Sequence, residues 1–209
     1  MQEIKYLYKK ITIVLLIFSI SLALADSKNV MAGTTSIYKK ALSGYLTTDT
    51  GEKIKPKSFL LLDINKDGKK ELIVKDSKAS EAFATKYIFT INAGKVICKS
   101  AYYENYGTAG VVYSKKLNRI STSTWIKGNA IGEKKSIYIL KKGKLKSKGW
   151  IFSGSKENGK MVYKKGANDK TSGKKISKKE YEKLEKKYTQ SFKNYSFKNN
   201  TEKNRKSIK

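Results

Sequence analysis

The 209-residue chain has no histidine, one cysteine, one proline and, among 46 basic residues, only two arginines. Each scarcity removes a class of function. Without histidine there is no Ser-His nucleophile, no imidazole general base and no His-ligated zinc. Cys98 alone excludes an intramolecular disulfide, and its place in the apolar run after Val96 and Ile97 predicts a buried free thiol. Arg119 and Arg205 are too few to read bases and phosphates, so specific nucleic-acid binding is not expected.

Acids are also scarce: 17 Asp and Glu face those 46 bases, giving a formal net charge of +29. The lysines are spread along the chain rather than gathered in a stripe. Such a charge suits salt-sensitive attraction to anionic cell-wall polymers or glycans. Catalytic pairs are hard to nominate. Asp76, Glu81, Glu104, Glu133 and Glu157 show no spacing that singles out two as a hydrolytic pair. The S-x-x-K matches Ser36/Lys39, Ser153/Lys156 and Ser172/Lys175 are as frequent as chance gives in so lysine-rich a chain. No catalytic residue is assigned, and the chain is read as a non-enzyme.

Residues 1–32 read as a signal peptide. Lys5, Lys9 and Lys10 form a basic start, and Ile11 to Leu24 is an apolar run short for a membrane span. Cleavage fits after Ala25 or after Ala32, an uncleaved anchor being the other reading. Export and release, with no membrane span after cleavage, are the expectation.

Residues 33–192 have the length of a single domain. In "TSIYKKALSGYL" Ile37, Ala41, Leu42 and Tyr45 fall on one helical face, with Thr35 or Ser36 as N-cap. From Ser58 onward the pattern is β. Phe59–Leu62 and Leu72–Val74 are continuous apolar runs, whereas Tyr87–Ile91, Ile137–Leu140, Trp150–Phe152 and Met161–Tyr163 are rich in aromatic and β-branched residues. Turn signals stand at Asn92-Ala93-Gly94, Lys142-Gly143 and Asn158-Gly159. "YIFTINAGKVICK" and "SIYILKKGKLKSK" match in type when Gly94 is laid on Gly143, which predicts two similar hairpins. Ser177 and Glu180 form a capping box before a helix whose inner face carries Tyr181, Leu184, Tyr188 and Phe192, with Glu182 and Lys186 paired outside. The fold class expected is α+β, mainly an antiparallel β meander in a curled sheet or sandwich, with a short N-terminal and a C-terminal helix. Residues 193–209, rich in Lys and Asn, are expected to form a flexible tail.

Two stretches bear on ligands. In "AYYENYGTAGVVY", Tyr102, Tyr103, Tyr106 and Tyr113, with Trp125 and Trp150 elsewhere, fit either a stacking platform for a sugar or core and cross-strand packing. Sharper is "FLLLDINKDGKKELIVKD". A hard cation wants six to eight oxygens, and a short loop supplies them when ligands alternate and the chain turns tightly. Asp63, Asn65 and Asp67 stand at positions 1, 3 and 5. Gly68 at position 6 permits the turn, Lys69 at position 7 offers its carbonyl, and Glu71 at position 9 adds a third carboxylate. The other reading is a polar hairpin tip held by Asx-turns.

The spacing follows an EF-hand for its first half and departs at position 12, which is Val74 between strand-like flanks. It more closely resembles the D-x-[DN]-x-D-G-x-x-[DE]-L calcium loop of FG-GAP and VCBS-type repeats, here in single copy. That resemblance implies Ca²⁺ ligands at Asp63, Asn65, Asp67, the Lys69 carbonyl and Glu71, in a loop joining two antiparallel strands. The order of helix, loop, meander and "KKISKKEYEKL" is also similar to secreted Gram-positive, clostridial-type proteins carrying one such loop. The expectation is therefore a secreted domain with a structural Ca²⁺ of weak extracellular affinity, on the order of 10⁻⁴ to 10⁻³ M. A surface-adhesion module and a secreted hydrolase are the alternatives.

Overall fold

A computed structural model describes residues 33–76, 83–105, 110–169 and 172–208, with the backbone alone at Phe83 and Asn105. The candidate cleavage sites, Glu81 and Tyr106 lie outside the described residues. A helix, α1, covers 33–42. There follow strands β1 (Leu46–Thr47), β2 (Lys53–Ile54), β3 (Pro56–Leu62), β4 (Glu71–Asp76), β5 (Phe83–Asn92) and β6 (Lys95–Asn105). Next come β7 (Gly110–Ser114), β8 (Arg119–Ile126), β9 (Ile131–Lys141), β10 (Lys144–Ser155), β11 (Met161–Gly166) and β12 (Lys174–Lys175). The chain ends with helix α2 (Lys178–Thr189), strands β13 (Lys193–Ser196) and β14 (Lys198–Asn199), and helix α3 (Glu202–Lys206). This is an α+β fold dominated by antiparallel sheet. Among the described residues no helix is long and apolar enough to cross a membrane.

The main sheet runs β12-β11-β10-β9-β8-β6-β5-β4-β3-β14, with β7 joining β8 to β13. Neighbours pair antiparallel except β6 and β8, which meet in parallel at Asn105 and Thr124. The sheet curls, so β5–β6 and β9–β10 face each other: the Leu145 amide donates to Ser100 Oγ at 3.4 Å. The two matched sequences are these hairpins. Both turn through left-handed pairs, Ala93-Gly94 (φ 47° and 74°) and Lys142-Gly143 (φ 51° and 73°), which match the twist of the flanking strands.

Continuous apolar runs mark strands buried on both faces. Phe59, Leu72, Val74 and Phe89 enter a core with Tyr38, Leu42, Leu46 and Ile208. On the opposite face Leu62, Ile73 and Ile88 pack with Ile64, Tyr113, Ile120 and Leu140. Alternate residues of β3–β5 thus serve two cores, the period-2 geometry of a strand.

Three local expectations are corrected. Residues 33–42 are helical throughout, so Thr35 and Ser36 lie inside α1 instead of capping it. The buried face of α1 is Tyr38 and Leu42, while Tyr45, beyond the helix, is exposed. Residues 193–208 are not a fraying tail. β13 pairs with β7, β14 pairs with β3, and Ile208 is buried against α1. Asn200 Nδ2 donates to the carbonyls of Leu42 (2.8 Å) and Pro56 (2.9 Å), satisfying backbone acceptors at a helix end and a strand start. Scattered Tyr195, Phe197 and Ile208 supply apolar anchors that composition alone did not reveal.

Helix α2 starts where the capping box places it, with Ser177 Oγ accepting from the Glu180 amide at 3.2 Å. Tyr181 is buried and its ring lies 5.1 Å from that of Tyr163 on β11. Glu182 reaches back to Lys178 at 3.8 Å, where pairing with Lys186 was expected.

Candidate metal centre

β3 and β4 pair up to Leu62 and Glu71, and the eight residues between them form the loop. Two positions take left-handed backbone, Lys66 (φ 61°) and Gly68 (φ 83°). These reversals turn alternate side chains inward. Ile64 is buried in the core and anchors the loop's first turn. Two neighbours brace it from outside: Tyr38 Oη donates to the Lys70 carbonyl at 3.0 Å, and Asn118 Nδ2 to the Asn65 carbonyl at 3.4 Å. Asn118 in turn accepts from Tyr113 Oη at 2.8 Å.

The structure brings Asp63, Asn65, Asp67 and Glu71 together. The Asn65 amide nitrogen donates to Asp67 Oδ2 (2.9 Å) and Glu71 Oε1 (2.8 Å). Backbone amides take most other oxygens: Gly68 to Asp63 Oδ2 (3.1 Å), Asp67 to Asn65 Oδ1 (2.9 Å), Lys69 to Asp67 Oδ1 (2.8 Å) and Ile64 to Glu71 Oε2 (2.9 Å). One oxygen is left over. Asp63 Oδ1 is buried and has no hydrogen-bond partner. The sequence placed the Lys69 carbonyl among the ligands; its amide is the group seen bonding inward.

Among the described residues no group of three or more His, Cys, Asp or Glu is placed so that it could hold a metal ion. The Asn65 amide nitrogen lies between two of the loop carboxylates instead. Its partial positive charge holds Asp67 and Glu71 by their oxygens, a role a cation would fill more strongly. Turning that amide over would present Oδ1 in place of Nδ2. The donor set is all oxygen, which suits calcium or magnesium and not zinc.

The electrostatics are unfavourable as they stand. Glu71 is 1% exposed. Burial, the Ile64 N–H opposing it, and then the charges of Asp67 and Asp63 push its carboxyl up to about 7. None of the three loop acids forms an ion pair with a lysine among the described residues. Burial also pushes Tyr113 up to about 12, with Asp63 adding to it.

The aromatic cluster divides. Tyr102, Tyr113 and Trp150 are buried, whereas Tyr103 and Trp125 are about half exposed, so no shared stacking platform forms among the described members. Sequence reading missed one ionic feature altogether. Lys86 on β5 and Glu104 on β6 form an ion pair inside the fold, 2% and 4% exposed. Lys86 also donates to the Gly110 carbonyl and lies 5.5 Å from the Tyr102 ring. Their strand positions explain the contact, because Lys86 pairs with Tyr102 and Ala84 with Glu104, making the two ions diagonal neighbours on one face.

No protein-family model matches the chain, and no curated protein matches it in sequence. A solved structure described as "Structure of a Xanthomonas Type IV Secretion System related protein" is similar over 62% of this chain and 62% of that one, at 16% identity and a TM-score of 0.39. This chain therefore spans less than two thirds of that protein's length. A likeness at that level bears on neither fold nor function.

Proposed function

We propose that this chain is an exported calcium-binding domain whose FG-GAP-like loop holds a structural Ca²⁺ through Asp63, Asn65, Asp67, the Lys69 carbonyl and Glu71. The observation that carries the reading is the loop's unbalanced charge. Asp67 and Glu71 share the Asn65 amide, Asp63 adds its charge nearby, the Glu71 carboxyl is pushed up to about 7, and one buried oxygen of Asp63 lacks any donor. A divalent ion supplies both missing terms, charge and coordination, and would brace β3 against β4 next to the core. The protein groups number fewer than the six to eight oxygens Ca²⁺ takes, which fits a modest affinity with further positions open. The ion's contribution is a fixed positive charge; the loop's residues hold it and no reaction is assigned to them.

The net charge of +29 supports a companion reading, adhesion to anionic wall polymers or glycans at the cell surface. The test of the calcium reading is a calorimetric Ca²⁺ titration beside Mg²⁺, on the purified protein and on Asp67→Ala. Saturable Ca²⁺ binding that the variant loses is expected. Its absence would leave Asp63 to Glu71 as a polar hairpin tip.

A further inference from the structure

A cleft of about 570 Å³ opens on the far end of the main sheet, away from the Asp63 loop in sequence and built from β9 to β12. Directly paired residues set Lys134, Phe152, Lys164 and Lys175 in one row across those four strands, and all four line the cleft. Trp150 stands two residues before Phe152 on the same face, with Lys134 Nζ 4.9 Å from its ring centre. The Phe152 ring lies over Gly154, where a Cβ would come within 2.6 Å of Phe152 Cζ, so a glycine there leaves room for the ring as the cleft floor. Lys156, in the β10–β11 turn, adds a fourth ammonium, and no acid lines the cleft among the described residues.

The opposite face of the same strands handles its charge differently. There the row is Lys135, Ile151 and Lys165, and α2 brings carboxylates to it: Lys135 meets Glu185 at 2.6 Å and Lys165 meets Glu180 at 2.5 Å. Lys134, Lys156, Lys164 and Lys175 form no ion pair among the described residues. Lys164 and Lys175 are also directly opposite each other, an arrangement that destabilises a sheet. Folding alone gives no reason to gather these charges over an apolar floor.

Resting on the adhesion reading above, and independent of the calcium one, we propose that this cleft binds a linear acidic oligosaccharide, its sugar rings on the apolar floor and its anionic groups at the lysines. Three arguments lead there. The charge is of one sign and unpaired, so the ligand is an anion. With neighbouring strands about 4.8 Å apart, the row from Lys134 to Lys175 extends about 14 Å. That is long for one compact anion and suits anionic groups repeated along a chain. Finally, Trp150 and Phe152 are buried, so neither presents a free face on which a base could stack, and no arginine lines the cleft. A nucleic acid is therefore the poorer fit. A sugar needs only shallow apolar contact under its C–H groups, and its hydroxyls can meet Asn129 at the rim. The volume is within the range of small-ligand sites.

The experiment is a calorimetric titration of pentagalacturonate into the purified protein in EDTA, with a sulfated pentasaccharide in parallel to tell which anionic group the lysines take. The acidic chain is expected to bind at least about tenfold tighter than maltopentaose, a neutral chain of the same length. Lys164→Gln/Lys175→Gln should lose about tenfold in affinity and melt no lower than the wild type, because it removes a like-charged pair. Lys115→Gln/Lys116→Gln takes the same charge from the exposed β7–β8 turn and should change affinity by less than about twofold. Equal losses in the two variants would overturn the cleft assignment and leave adhesion by net charge standing. Maltopentaose, or an oligothymidylate of equal charge, binding as tightly as the acidic chain would also overturn it. No heat from either acidic chain would instead sink the adhesion reading, and this one with it.

Discussion

Glu71 and Glu104 are both buried carboxylates in the same half of the sheet, at 1% and 4% exposure, yet their surroundings differ. Glu104 has a lysine of its own. Burial pushes its carboxyl up and the Lys86 ammonium down, and each charge opposes the other's shift. Glu71 has an amide, a backbone N–H and two further carboxylates, so nothing cationic opposes the shift. One carboxylate meets its counter-charge within the chain; the other does not, and on the proposed reading a cation from outside supplies it. Burial alone therefore does not set a carboxylate's state; the sign of its neighbours does.

Breaking the complete site should have the largest effect. Lys86→Met leaves Glu104 buried and unpaired, and removing one partner of such a pair costs about 3–5 kcal/mol. Chemical denaturation of the single variant should show that loss. Lys86→Met/Glu104→Leu should recover most of it, because an apolar pair of similar volume replaces a desolvated ionic one. A double variant as unstable as the single one would mean that Lys86 acts through its bond to the Gly110 carbonyl rather than through Glu104.

The incomplete site should show itself in pH dependence. Glu71 is raised from an ordinary 4.5 to about 7, so the folded state holds its proton more tightly than the unfolded chain does. Its contribution to stability is fully present below about pH 4.5 and is lost as pH rises through 7, a swing of about 3 kcal/mol. In EDTA, melting of the wild type should fall across that window relative to Glu71→Gln, which cannot ionise. Ca²⁺ should flatten the wild-type curve, because the ion supplies the charge that desolvation denies. Parallel curves for the two proteins in EDTA would place Glu71 in contact with more solvent than its burial indicates.

Calcium itself should contribute less. With a dissociation constant near 1 mM, about 10 mM Ca²⁺ stabilises by about 1.4 kcal/mol, a rise of a few degrees in Tm. Asp67→Ala should remove that rise, since Asp67 accepts from Asn65 Nδ2 and the Lys69 amide. A rise of equal size with Mg²⁺ would point to screening rather than coordination.

The two sites also differ in how far they could be read in advance. The loop is local: alternation of Asp63, Asn65 and Asp67, a glycine and a later acid are visible within nine residues, and the turn geometry follows from them. Lys86 and Glu104 are eighteen residues apart, and their meeting depends on the β5–β6 register, which a bulge between Ile88 and Phe89 shifts by one residue. The same distinction holds for the fold. The apolar runs of β3 and β4 and the glycine turns of the two long hairpins are local patterns. Pairing of β13 with β7 and β14 with β3 brings together residues 80 or more positions apart, across segments whose Lys and Asn content resembles a solvated tail. Alternation of Tyr195 and Phe197 with polar neighbours is the signal present there, and it is too short to outweigh composition.

The smallest effect tests whether the loop's backbone is preset for the ion. Gly68 has φ 83°, and a Cβ built there meets nothing within 4 Å. Gly68→Ala therefore costs only the left-handed conformation, about 1 kcal/mol, with no steric component. Its amide also donates to Asp63 Oδ2, so a backbone relaxing toward negative φ would swing that donor away and loosen Asp63 beside its unpaired Oδ1. Ca²⁺ affinity should then fall together with stability, and Gly68→Asn, which tolerates left-handed backbone, should restore part of both. If alanine lowers stability while Ca²⁺ affinity stays unchanged, the ion draws the loop into shape on binding and the turn is not preorganised.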